Sequence, residues 1–122
     1  MDDHTLIVFD WDDTLFPSHW LTSLVGISEI SAEDSALLTE IAASVFALLV
    51  QAQKHGRVVI ITNSEEGWVE LSCNRYMSQC SRTLEKIDIV SARSDYQKLY
   101  PEEPITWKQL AFRSEVGNAM FA

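Results

Sequence analysis

Cationic side chains are scarce in this chain. Nine Lys and Arg stand against 18 Asp and Glu, a formal net charge of -9 at pH 7. A general nucleic-acid surface or an anionic-membrane surface needs clustered Lys and Arg, so the balance argues against both as partners. Glycine and proline are also few, with four and three residues, and no repeat, low-complexity tract or linker interrupts the chain. Cysteine is limited to Cys73 and Cys80. On one continuous helix they would lie about 10 Å apart along the axis, too far for a disulfide, so both are read as reduced thiols. The start, Met1-Asp2-Asp3-His4, lacks the basic and apolar regions of a signal peptide. No unbroken apolar run reaches the length of a membrane span. These absences lead to the expectation of a soluble cytoplasmic protein, one domain over residues 1–122.

What is present is a sizeable apolar fraction, 47% of the residues, arranged in short runs. Leu6-Ile7-Val8-Phe9 ends at an acidic cluster. Val58-Val59-Ile60-Ile61 ends at Thr62-Asn63-Ser64. A weaker run, Ile87-Asp88-Ile89-Val90, ends at Ser91. Runs of four rich in β-branched residues fit buried parallel strands. Between them lie helical patterns. Ser31 with Asp34 begins one, an apolar stripe of Leu37, Leu38, Ile41, Val45, Leu48, Leu49 and Ala52 follows to His55, and Gly56 is placed to cap it. A second helix is expected from about Glu65 to Cys80. A third should start near Thr106 and carry Trp107, Leu110, Ala111 and Phe112.

Strand alternating with helix is the α/β pattern. In such sheets ligands bind beyond the carboxyl ends of the strands, so Asp10, Thr62 and Ser91 should meet at one end of the sheet. Asp10 and Asp12 then stand together just past the first strand. One carboxylate can attack phosphorus while the other moves protons. Together they also offer oxygen ligands to Mg²⁺, which bridges to substrate phosphate. A bare Asp-x-Asp is more often a solvated turn or a helix cap. The four apolar residues before it and Thr14-Leu15 after it weigh against that.

The segment Asp10-Trp11-Asp12-Asp13-Thr14-Leu15 resembles the first motif of the haloacid dehalogenase-like superfamily, an apolar strand followed by D-x-D-x-T-L. Val58–Thr62 resembles the second motif, and Lys108 is a candidate for the third. The resemblance implies a Rossmann-like three-layer α/β/α fold with a short parallel sheet, and a Mg²⁺-dependent phosphatase of the D-x-D-x-T type. Asp10 would attack the phosphoryl group and form an aspartyl-phosphate. Asp12 would protonate the leaving oxygen and then activate water. Thr62 would hydrogen-bond a phosphoryl oxygen, and Asn63 and Ser64 would add contacts or cap the next helix. Lys108, or its rival Lys98, would neutralise charge. Mg²⁺ would bind the Asp10 carboxylate and the Asp12 backbone carbonyl. The substrate would be a phosphorylated small molecule or phosphoprotein. His4, His19 and His55 have no metal-ligand spacing, Trp20 and Trp68 read as packing residues, and Asp13 as structural.

Two features depart from the family pattern. The fourth motif, a strand ending in acidic residues that complete the metal site, is missing after the Lys108 helix. Glu115 is the last acid, and Asn118–Ala122 reads as a remnant of that strand. The absence implies a C-terminally truncated core with Leu6–Phe9 as an exposed apolar edge that invites pairing with another chain or copy. The second departure is a connection of only Phe16 to Ile30 before the long helix, a minimal cap over an open site. Two functional readings follow, an active phosphatase and an inert phosphate- or partner-binding module. A receiver-like phospho-acceptor ranks last, because there the acceptor Asp follows the third strand and here Ser91 does.

Overall fold

The computed structural model describes residues 4–25 and 30–121. The runs of β-branched residues form three strands, β1 (Leu6–Phe9), β2 (Arg57–Thr62) and β3 (Asp88–Ser91). They make one parallel sheet in the order β1-β2-β3. Val8 pairs with Val59, and Thr62 with Ser91. Among the described residues there are also six α-helices: α1 (Ser18–Val25), α2 (Ala32–His55), α3 (Trp68–Tyr76), α4 (Ser81–Leu84), α5 (Ala92–Tyr96) and α6 (Pro104–Phe121).

Alternation along β2 shows how the sheet is buried. Val58 and Ile60 pack into a core with residues of α2 and α3, while Val59 and Ile61 pack with Ala92 of α5 and Trp107 and Ala111 of α6. Side chains two apart on a strand share a face, so helices cover the sheet on both sides. This is a small α/β architecture, as the strand-helix alternation predicts.

α2 starts where the capping pattern places it. Ser31 accepts a hydrogen bond from the Asp34 amide at 3.1 Å, which satisfies one free N–H of the first turn. Gly56 follows the last turn and sits against β1. A Cβ there would lie 2.5 Å from the Thr5 carbonyl oxygen, so the residue is glycine for space and not for backbone angle. The buried stripe differs from the predicted one. Leu38, Ala42, Val45, Leu49 and Ala52 face the core, while Leu37 and Leu48 are nearly half exposed. At 100° per residue those two lie roughly 80–100° from the centre of the buried stripe, at its margin. Among the described residues α2 is also the helix long and apolar enough, by length and composition, to cross a membrane; 22% of its most apolar window is buried here. The broken pattern of single polar residues hides this length in the sequence.

Three expectations are corrected. The segment Glu65–Cys80 is not one helix. α3 stops at Tyr76, Met77 adopts φ -137 and ψ 50, and a 3₁₀ turn carries Ser78–Cys80. After the reversal the two thiols no longer lie along one helix: Cys73 Sγ donates to the Met77 carbonyl and Cys80 Sγ to the Ala42 carbonyl, each at 3.3 Å. Both are free and buried. Asn118–Phe121 is no strand remnant but the last turn of α6. Phe16, the expected start of a cap, is a core residue stacked on Trp11 with ring centroids 5.6 Å apart. The rest of that segment holds α1, whose Leu21 is buried in the same core; residues 26–29 of the expected cap lie outside the described residues.

Candidate phosphate-handling site at the strand ends

The loop after β1 is held from both sides. Trp11, the variable residue of the Asp-x-Asp pair, is fully buried and donates its indole N–H to Ser72 Oγ at 3.0 Å. Its carbonyl oxygen accepts from the amides of Thr14, Leu15 and Phe16 at 3.2, 3.0 and 2.9 Å. Asp13 takes a left-handed φ of 58 and accepts the His19 amide at 2.8 Å, capping α1. Aspartate tolerates that region better than most residues. The tight turn leaves Asp10 and Asp12 with different surroundings.

Asp10 meets Lys108. Nζ of Lys108 lies 2.7 Å from Asp10 Oδ1, across 98 residues of sequence. Thr14 Oγ1 donates to Asp10 Oδ2 at 3.2 Å, and the Trp11 amide to Oδ1 at 2.9 Å. The pair is more than a third exposed, so it faces solvent and is open to a ligand. Lys98 is exposed on the turn after α5, away from the ion pair that Asp10 makes. Of the two candidate lysines, Lys108 is the one at Asp10.

Asp12 faces the other way. Ser18 Oγ and Trp68 Nε1 donate to its Oδ1 at 2.5 and 2.9 Å. Ser64 Oγ and Thr62 Oγ1 donate to its Oδ2 at 2.8 and 3.2 Å. Burial pushes the Asp12 carboxyl up, but the hydrogen bonds from Ser18, Trp68, Ser64 and Thr62 outweigh it and hold the group below its ordinary value. Asp12 is therefore a hub that ties the β1 loop to α1, to the end of β2 and to α3. Thr62 is itself buried, with its hydroxyl spent on Asp12 and on the Ser64 amide.

Asn63 is not aimed at Asp10. Its Nδ2 donates to the Pro104 carbonyl at 3.0 Å and pins the start of α6, while its Oδ1 is buried without a partner. Ser91 caps α5 by accepting the Ser94 amide at 3.1 Å and donates to the Ser64 carbonyl at 2.6 Å. So Asp10, Thr62 and Ser91 all lie at the carboxyl end of the sheet, with Asp12 and Ser64 bridging between them and Lys108 on Asp10. Ser18, the first residue of α1, joins the site with no motif to mark it in the sequence. Trp68 packs on the core as expected and also binds Asp12. Among the described residues no three His, Cys, Asp or Glu side chains converge as a metal cluster.

Beside Asp10 and Lys108 opens a groove of about 870 Å³ between β1 and α6. Comparisons with protein families, curated proteins and solved structures find no match for this chain.

Proposed function

We propose that this chain is a phosphate-handling domain whose best-supported activity is hydrolysis of a phosphate monoester through Asp10, on a Rossmann-like three-layer core of the haloacid dehalogenase type with a minimal cap. One observation carries the reading. Asp10 and Lys108, 98 residues apart, converge at 2.7 Å beyond the carboxyl end of a parallel sheet, with Thr62 and Asp12 at the neighbouring position. That arrangement supports a mechanism of this kind. Asp10 Oδ2, held among the described residues by Thr14, attacks phosphorus and displaces the leaving oxygen. Lys108 offsets charge on the phosphoryl oxygens. The resulting acyl phosphate is hydrolysed by water, returning the carboxylate. Asp12 is ionised at neutral pH, which suits accepting a proton from that water better than donating one to the leaving group.

The residues present fit Mg²⁺ modestly. Asp10 is available as a carboxylate ligand, whereas both Asp12 side-chain oxygens are taken by protein donors. One or two carboxylates plus the substrate phosphate suffice for this ion. When bound it would supply positive charge to the phosphoryl oxygens. The substrate in this reading is a phosphorylated small molecule or phosphoprotein, and the setting is the cytoplasm.

The saturation of Asp12 favours a second reading, a phosphate- or partner-binding module without turnover. Release of phosphate from 4-nitrophenyl phosphate with Mg²⁺, abolished in Asp10→Asn, supports the enzyme. Calorimetric binding of inorganic phosphate with no turnover of any ester, and no covalent acyl phosphate on Asp10, supports the module instead.

A further inference from the structure

α6 is apolar on two faces. Trp107 and Ala111 bury one face against the sheet. Ile105, Phe112 and Val116 lie on another, spaced by seven and four residues, and line the groove beside β1 with Val8. Ile105 is 74% and Phe112 50% exposed. Asn63 holds Pro104 near the end of β2, and Arg57 at its start holds Glu115, so α6 runs antiparallel to the strands along their whole length.

The wall opposite this stripe is, among the described residues, an outer edge of the sheet. β1 is the last strand of the sheet on that side. The Arg57 amide donates to the Thr5 carbonyl at 2.9 Å, which sets the ladder. In a parallel ladder alternate residues turn both backbone groups to the neighbour, here Thr5, Ile7 and Phe9. Leu6 and Val8 therefore turn their N–H and C=O away from β2. Unpaired edge groups beside an apolar wall are a template for another strand.

We propose that this groove takes an extended segment of another polypeptide, which adds a strand to β1, buries apolar side chains under Ile105 and Phe112, and places a carboxylate beside Arg113. Two features select this occupant. An apolar small molecule would cover the helix stripe and leave the Leu6 and Val8 backbone groups unpaired; a strand satisfies both. The dimensions agree, since Ile105 to Val116 spans about 16 Å of helix and five strand residues span about 16 Å. Charge selects the partner's chemistry. In a chain of net charge -9 the groove carries Lys108 and Arg113 against one acid, Asp10. Lys108 is paired with Asp10, whereas Arg113 has no acidic partner among the described residues. A second copy would bring the same cations together and double the negative charge.

The test uses the full chain and a blocked peptide, acetyl-Thr-Val-Thr-Ile-Thr-Val-Glu-Glu-amide, with a control in which the central Ile is Pro. Calorimetry should show saturable binding of the first and at least about tenfold weaker binding of the control, because proline removes a ladder donor. Hydrogen exchange should show the Leu6 and Val8 amides slowing on binding. Phe112→Ser and Arg113→Glu should each weaken binding by about threefold to tenfold. Both alter exposed side chains, and an unchanged melting temperature confirms the fold. The proposal is overturned by no binding at millimolar peptide, by equal binding of the control, by binding without protection of Leu6 and Val8, or by light scattering that shows a dimer already protecting those amides.

Discussion

Trp68 donates its indole N–H to Asp12 Oδ1 at 2.9 Å, which fixes the first residue of α3 to the loop after β1. Through Ser18, Ser64 and Thr62 the same carboxylate also holds the start of α1 and the end of β2. A charge with four donors is a structural centre as well as a chemical one. Asp10, two residues earlier, accepts from Lys108, Thr14 and the Trp11 amide and stays more than a third exposed. The turn around the Trp11 carbonyl separates the two roles.

Asp12→Asn should destabilise the fold in a pH-dependent way. The folded carboxyl lies below its ordinary value. Its stabilisation is therefore complete above the unfolded value and is lost as pH falls through the folded one. Urea unfolding should show a loss of roughly 1–3 kcal/mol at about pH 7, because hydrogen bonds to a charged group are replaced by an amide that fails to accept all four. The difference should shrink towards about pH 3. A gap that stays constant across that range would remove Asp12 as the titrating centre.

Asp10→Asn should leave stability almost unchanged while turnover falls by about a thousandfold or more, since the amide is a poor nucleophile. Its ion pair with Lys108 is more than a third exposed on both sides and contributes at most about 1 kcal/mol. Thermal melting and phosphate release, measured on the same samples, separate the two effects. A large drop in melting temperature would mean that the pair is structural.

Much of the sheet is legible in the sequence because strands announce themselves by apolar runs. Leu6–Phe9 matches β1 residue for residue, β2 extends its run by one residue at each end, and β3 is shifted by one residue from its run. Ser31 and Gly56 bound α2 by local chemistry. The missed parts depend on contacts that periodicity does not carry. Nothing local marks the break at Met77, which has no proline or glycine beside it. Ser18, Ser64 and Trp68 gather on Asp12 only because three separate elements meet there. Asn63 follows the second strand as a phosphate ligand would, yet its amide is used to hold α6.

The two cysteines should be inert in the folded protein. Both are fully buried. Hydrogen bonding within the pair holds the Cys73 thiol below its ordinary value and, with burial, pushes Cys80 well above its own. Alkylation needs an accessible thiolate, so burial protects Cys73, and burial and protonation together protect Cys80. Iodoacetamide labelling followed by mass spectrometry should be on the order of a hundredfold slower in buffer than in denaturant. Fast labelling of Cys73 in the native protein would show that the Met77 turn opens readily.

Gly56→Ala should cost about 1–3 kcal/mol in urea unfolding, as overpacking does in tight contacts. The added Cβ meets the Thr5 carbonyl oxygen at 2.5 Å and Thr5 Cβ at 2.8 Å. Both belong to the segment that leads into β1, so the strand must shift. If β1 moves, Asp10 moves with it, and Lys108 should lose its contact. Loss of stability without any change in phosphate affinity or turnover would show that the loop after β1 is positioned by Trp11 alone.

The state of Asp12 also sets which esters should react. Cleavage of an alkyl ester needs a proton on the leaving oxygen, whereas 4-nitrophenolate leaves without one. With Asp12 held ionised by Ser18, Trp68, Ser64 and Thr62, the donor is in short supply at neutral pH. Turnover of 4-nitrophenyl phosphate should exceed that of glycerol 2-phosphate by about a hundredfold or more at about pH 7. The ratio should narrow as the pH is lowered and a protonated Asp12 becomes populated. Equal rates for the two esters at neutral pH would mean that the ring of donors around Asp12 opens when substrate binds, and that the carboxyl gains its proton only then.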